Sequence, residues 1–314
     1  MSIIKTRGVK EAPLSYSAVV IKYGGLDLRR SAVILTDGAM LGTARLIQSE
    51  SAEFVKRIEI INLDETNRVD KIFSLTQDDL LILHIGIESW TGRHKNFARA
   101  FGKPEDVAAK YICIRPTITP KALLEGLGTP YDVTENILRK FGGLPEGERI
   151  RAISEAGTDV TLTTYDPFPI PFETREPGSN AYLPPAEISY CVESGSANGV
   201  IAADVTVGEL RVNADLIDPF GFVSEPVKIF VEDGFIADIS GDETAARLKA
   251  ELFKLPQSCR KVIELGFGLS RMTPCGIIGI DESAAGTCHF GFGSGSGNEA
   301  PVHLDVVVSN FEIK

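Results

Sequence analysis

The chain has no paired-cysteine motif. Its five cysteines, Cys113, Cys191, Cys259, Cys275 and Cys288, are odd in number and none forms a CxxC pair. That spacing argues against a disulfide framework or a cysteine zinc knuckle and predicts reduced thiols in a cytoplasmic protein. No apolar run reaches the roughly 20 residues that a membrane helix needs. The first seven residues lack the apolar stretch of a signal peptide, so no membrane partner is expected. Positive charge is also short: 32 Lys and Arg against 43 Asp and Glu leave a net charge of −11. Nucleic acid needs a basic face, so it is not an expected partner. A peptide or small-molecule substrate remains open.

Length suits two domains, because 314 residues exceed one core of ordinary size. Residues 31–36 are a run of strand formers ending at Asp37-Gly38. Asp37 can cap a helix that carries Met40, Ala44 and Ile47 at helical spacing. Residues 57–63, 80–87 and 111–115 are further strands, the second apolar enough for the centre of a parallel sheet. This rhythm predicts an open α/β, Rossmann-like domain over 1–145. Val133, Ile137 and Phe141 lie four apart before Gly142-Gly143, the pattern of a final helix and its stop.

Residues 146–314 carry more strand signals. Val227, Ile229 and Val231 alternate with outward residues, and Asp233-Gly234 is a hairpin turn before 235–239. Asp242 can cap a helix with Ala245, Leu248 and Leu252 on one face. Strands at 262–265, 287–292 and 302–308 complete a β-rich α+β domain. The glycine-rich run 291–297 is expected to be a mobile hairpin loop over the neighbouring histidines. It is not a nucleotide loop, since a strand rather than a helix follows it.

Two of the four histidines fall in the last quarter. On a strand, His303 and Asp305 point the same way, and an imidazole beside a carboxylate can chelate a divalent cation. His289 adds a second imidazole, and Glu264 and Glu187 add carboxylates. Carboxylates beyond a His-His-Asp trio favour a second cation, because one carboxylate can bridge two that lie about 3.5–4 Å apart. Pro184 and Pro185 stiffen the approach to Glu187. Cys288 adjoins His289 but faces the other way. His84, in an apolar strand, reads as a satisfied core histidine, and His94 as an exposed one; neither is given a role.

In order along the chain, several segments resemble the metal domain of the M29 (thermophilic) aminopeptidases and, equally, that of the 2,5-dihydroxypyridine 5,6-dioxygenases. They are Gly157-Thr158-Asp159, Pro185-Ala186-Glu187 with Asn198-Gly199, and Ile263-Glu264-Leu265-Gly266. The run from Asp281 to His289 and His303-Leu304-Asp305 follow. Ala186 replaces a family glycine. The resemblance implies a metallopeptidase-like second domain, a homodimer, and five ligands: Glu187, Glu264, His289, His303 and Asp305. Zn, Mn or Co would be held, with Glu187 also the catalytic proton carrier or the bridge. In the dioxygenase relatives, His289, His303 and Asp305 would hold one Fe(II). The aminopeptidases carry a catalytic tyrosine shortly after the first histidine; residues 290–298 contain none, and Ser296 stands in its place. The segment from His289 to His303 is also shorter than in those enzymes. Metal-dependent peptide hydrolysis is the first expectation. The alternatives are a non-catalytic peptide-binding protein of a ribosomal-peptide pathway, as in crocagin biosynthesis, and a mononuclear Fe(II) ring-cleaving dioxygenase.

Overall fold

The computed structural model describes residues 14–314 except 29, 67–71, 73, 94–107, 175, 177 and 214, so His94 lies outside the described residues. Its strands are β1 (Ser31–Thr36), β2 (Arg57–Asn62), β3 (Leu80–His84), β4 (Lys110–Ile114), β5 (Arg149–Ser154) and β6 (Asp159–Pro169). Then come β7 (Asn180–Leu183), β8 (Glu187–Val192), β9 (Asn198–Ala203), β10 (Thr206–Val207), β11 (Leu210–Val212), β12 (Asp215–Asp218) and β13 (Gly221–Phe222). The last are β14 (Val227–Glu232), β15 (Phe235–Ser240), β16 (Val262–Gly268), β17 (Thr287–Gly295), β18 (Asn298–Ser309) and β19 (Phe311–Ile313).

The first compact unit comprises Met1–Tyr131 and Pro171–Pro184. It holds a parallel five-stranded sheet in the order β2-β1-β3-β4-β7. Every residue of β3 is buried, as its unbroken apolar sequence requires of a central strand. Helix α1 (Leu41–Ser51) buries Ala44 and Ile47. Asp37 accepts the Met40 N–H at 3.0 Å and the Gly86 N–H at 3.0 Å, so one carboxylate organises the ends of both neighbouring strands. His84 is a core residue, yet among the described residues neither ring nitrogen has a hydrogen-bond partner, which corrects the expectation of a satisfied histidine. Burial lowers its pKa to about 4, with Asp37 opposing.

The second unit comprises Asp132–Ile170 and Pro185–Lys314. The units therefore divide at Tyr131/Asp132 rather than near residue 145, and a later segment returns to the first. The reasons are local. Helix α2 (Tyr131–Phe141) delivers Phe141 to the second core, where its ring stacks on Phe267 at 4.2 Å. Strand β7 pairs with β4 and so completes the first sheet.

A large, mostly antiparallel sheet of twelve strands forms the second unit, running β13-β10-β18-β17-β16-β8-β6-β9-β14-β15, with β5 and β19 attached through β6. Tyr190, Phe267, Phe290 and Phe292 are fully buried on its core face. Each such side chain contributes about 1.5–3 kcal/mol by leaving water. Asp233 and Gly234 both take positive φ in the β14–β15 turn, as a tight two-residue hairpin requires. Asp242 caps α3 (Glu243–Leu252) through the N–H groups of Thr244 and Ala245. This is the expected pairing of an open α/β fold with a β-rich α+β fold. Among the described residues, no helix is long and apolar enough to cross a membrane.

Candidate metal centre

Four adjacent strands, β18, β17, β16 and β8, build the site. Their alternation sorts the side chains. Leu304, Val306, Cys288, Phe290, Leu265, Phe267, Ile188 and Tyr190 enter the core. The residues between them, which include all five predicted ligands, occupy the opposite face. On β8 these are Glu187, Ser189 and Cys191; on β16, Glu264 and Gly266; on β17, His289 and Gly291; on β18, His303 and Asp305. Cys288 is buried on the core face, as expected.

Register brings the ligands together. Gly291 lies opposite both Glu264 and Asp305, and Gly266 lies opposite both His289 and Ser189. The glycines leave the space that the functional groups occupy. A Cβ on Gly291 would stand 2.9 Å from the Glu264 Cβ and 3.0 Å from Asp305 Oδ1. A Cβ on Gly266 would stand 2.7 Å from Ser189 Oγ and closer still to the His289 ring.

The five residues form two overlapping groups, Glu187-Glu264-His289 and Glu264-His303-Asp305, each with ligand atoms within 4.8 Å of one another. Glu264 is the shared member. Its Oε1 lies 3.8 Å from His289 Nε2, and its Oε2 lies 3.8 Å from His303 Nε2. His289 Nε2 is 3.3 Å from Glu187 Oε2, and His303 Nε2 is 3.0 Å from Asp305 Oδ2. Of the two bridging options, the carboxylate between the groups is thus Glu264, with Glu187 at one end. The first group is deep and the second is open, since His289 is buried while His303 is 43% exposed. His303 Nδ1 bonds the Ser294 carbonyl oxygen at 2.7 Å, which leaves Nε2 for the site.

The acidic surroundings demand positive charge. Burial works against charging His289, but Glu187, Glu264 and Glu282 outweigh it and push its pKa up to about 10. Asp305 raises the His303 pKa well above the ordinary range against burial, with the Ser294 carbonyl and Glu264 adding to the effect. Protons on the imidazoles answer a charge deficit that a divalent cation would also answer. In donor type and grouping, the residues fit such ions.

A family model described as NicX, 2,5-dihydroxypyridine 5,6-dioxygenase, matches residues 114–310, more than half of the chain. The chain belongs to this family. The NicX-family match spans β8 and β16 to β18, the strands that carry the ligand face. The fold is shared with two solved structures. The 2,5-dihydroxypyridine dioxygenase of Pseudomonas putida KT2440 is 17% identical, with a TM-score of 0.62 over 98% of this chain and 94% of that one. AmpT of Thermus thermophilus is 14% identical, with a TM-score of 0.56 over 95% of this chain and 93% of that one. No curated protein matches the chain. The two structures show the shared fold, and the family is shown by the model that matches 114–310.

The glycine-rich run of this NicX-family chain departs from the sequence reading. Residues 291–295 are strand rather than loop, and only Ser296 and Gly297, both at positive φ, make the turn to β18. The Ser296 hydroxyl donates to the Ile263 carbonyl at 3.0 Å and holds the hairpin. Sequence reasoning missed Glu282, a buried carboxylate that acts on His289, and the roles of Gly266 and Gly291. A readable signal existed for Gly291: in 291–297 the glycines fall at every second residue, the period of one strand face.

Proposed function

We propose that the chain is a metal-dependent peptide hydrolase of the aminopeptidase type, with a two-cation centre. The observation that carries this reading is Glu264, whose two oxygens face two different histidines and which belongs to both ligand groups. Glu187, Glu264 and His289 would hold one cation, and Glu264, His303 and Asp305 the other. When bound, such a pair supplies a polarised carbonyl and a more acidic water.

The chain's own residues supply the remainder. Glu187, at the deep end, would take up a proton and return it to the leaving amine through the carboxylate oxygen that it does not give to the cation. Ser294 fixes the His303 tautomer through its carbonyl. Asp305 holds the His303 ring from the same strand at 3.0 Å. The test is metal content per chain, measured together with release of N-terminal residues from a tripeptide library in Zn, Mn or Co. Two metals with release are expected. One iron without any cleavage would overturn the reading.

A second reading, a mononuclear Fe(II) ring-cleaving dioxygenase, is favoured by the family match over 114–310 and by Ser296, whose hydroxyl is turned to the backbone. Its trio of His289, His303 and Asp305 is spread over both ligand groups, which supports the hydrolytic reading instead. Oxygen uptake with 2,5-dihydroxypyridine after anaerobic Fe(II) loading tests it.

A further inference from the structure

We propose that β6 carries a substrate subsite beside this centre: an aromatic shelf of Tyr165 and Phe168 that takes a large apolar side chain from the N-terminal residue of a peptide. The proposal rests on the hydrolytic reading for its substrate class.

The shelf follows from a register shift. Strand β6 pairs with β8 as Thr164↔Val192 and Tyr165↔Cys191, then, after the shift, as Pro167↔Tyr190 and Phe168↔Ser189. Asp166 is the extra residue and takes a φ of 51°. In an unbroken strand, residues 165 and 168 would face opposite sides. The bulge places both opposite site-face residues, because bulges re-aim the side chains that flank them. The neighbouring pairs confirm the sorting. Val192 and Tyr190 enter the core, and Thr164, opposite Val192, is buried.

Tyr165 and Phe168 are 38% and 39% exposed. Their position is specific. Phe168 faces Ser189 and is the diagonal neighbour of Glu187, a separation of about 7–8 Å between strands. Tyr165 faces Cys191, and Cys191 in turn faces Glu264. The shelf therefore adjoins the group of Glu187, Glu264 and His289, while His303 and Asp305 lie on the far side. Along the row of paired residues from Phe168 to His289, the intervening strand positions are Ser189 and Gly266.

Charge and spacing select the occupant. The cation that Glu187, Glu264 and His289 would hold favours an amine donor, and the shelf lies one strand beyond β8, about 5 Å further on. An N-terminal residue offers this pair: a free amine and, one side-chain length away, an apolar group. A lone dihydroxylated ring offers the flat surface without the amine.

The experiment uses the purified protein and three tripeptides, Phe-Ala-Ala, Leu-Ala-Ala and Ala-Ala-Ala, each N-methylated at the first peptide bond to prevent cleavage. Binding is followed by isothermal titration. The wild type should bind the Phe peptide about tenfold or more tighter than the Ala peptide. Phe168→Ala and Tyr165→Ala should each shrink that preference to about threefold or less, and Phe168→Leu should keep most of it. A wild-type preference near one, a preference unchanged in both alanine variants, or no peptide binding would overturn the shelf. So would a response of 2,5-dihydroxypyridine binding, and not of peptide binding, to the same variants. If the preference behaves as expected but unmodified Phe-Ala-Ala is not cleaved with Zn, Mn or Co, the hydrolytic reading fails and the shelf stands.

Discussion

The imidazole of His289 lies over the backbone of Gly266, in the space that a methyl group on Gly266 would fill. The two residues face each other across β16 and β17. Gly266→Ala must therefore tilt the ring away from Glu187 and Glu264. The strand itself can accept alanine, because no positive φ is involved at this position. Metal affinity should fall about tenfold or more, or about 1.4 kcal/mol, with the melting temperature little changed. Metal titration of the variant beside circular dichroism checks this, and undiminished affinity would show that the ring position is not needed.

Glu264 belongs to both ligand groups, and Asp305 to one. Substitutions at the two positions should therefore differ in stoichiometry. Asp305→Asn should leave one metal per chain, and Glu264→Gln should leave less than one. Each lost carboxylate also removes a negative charge from a crowded acidic site, so neither variant is expected to unfold. Elemental analysis of protein dialysed against equal free metal decides between them. Equal losses in the two variants would remove Glu264 from its bridging position.

These relationships separate what was legible in the sequence from what was not. Strands such as β1 and the helix after Asp242 followed from period and capping, because those signals act over a few residues. His303 and Asp305 shared a face by the same local rule. The return of residues 171–184 to the first unit was not legible, since only pairing with β4 decides it. The site-face role of Gly291 depends on Glu264 and Asp305, which lie on different strands. The β6 bulge was hidden for a similar reason: Asp166-Pro167 is a break signal, but only pairing with β8 shows that it shifts the register rather than ends the strand. Local periodicity reads a strand, whereas a site on four strands depends on registers set over long separations.

His84 gives a pH signature to stability. Its pKa falls from an ordinary 6.5 to about 4 on folding, because burial disfavours the charged ring. The unfolded chain therefore binds the proton more readily. Stability should be complete above about pH 6.5, fall as the pH drops toward 4, and level off below, a change of about 3 kcal/mol. His84→Leu should abolish that slope. It should also raise stability at neutral pH by about 1–2 kcal/mol, because two unpartnered buried nitrogens are replaced by an apolar group. Urea unfolding from pH 4 to 8 measures both effects, and an unchanged slope in the variant would assign it to other groups.

Asp281 ties the segment before His289 to the sheet. It is fully buried, accepts the N–H groups of Cys275 at 2.7 Å and Gly276 at 2.8 Å, and receives the Thr206 hydroxyl from β10. Burial raises its pKa, and these three donors oppose the rise by stabilising the carboxylate. Asp281→Ala leaves three donors without their acceptor, so the loss should be about 2–4 kcal/mol. Asp281→Asn should cost less, because the amide oxygen can still accept part of the set while its NH2 faces the remaining donors. A second readout separates a local from a global effect. If Asp281 acts only on the 273–286 segment, the variants should become sensitive to proteolysis there before the sheet unfolds. Cleavage sites mapped by mass spectrometry give the answer, and simultaneous loss of all segments would show that Asp281 supports the whole unit.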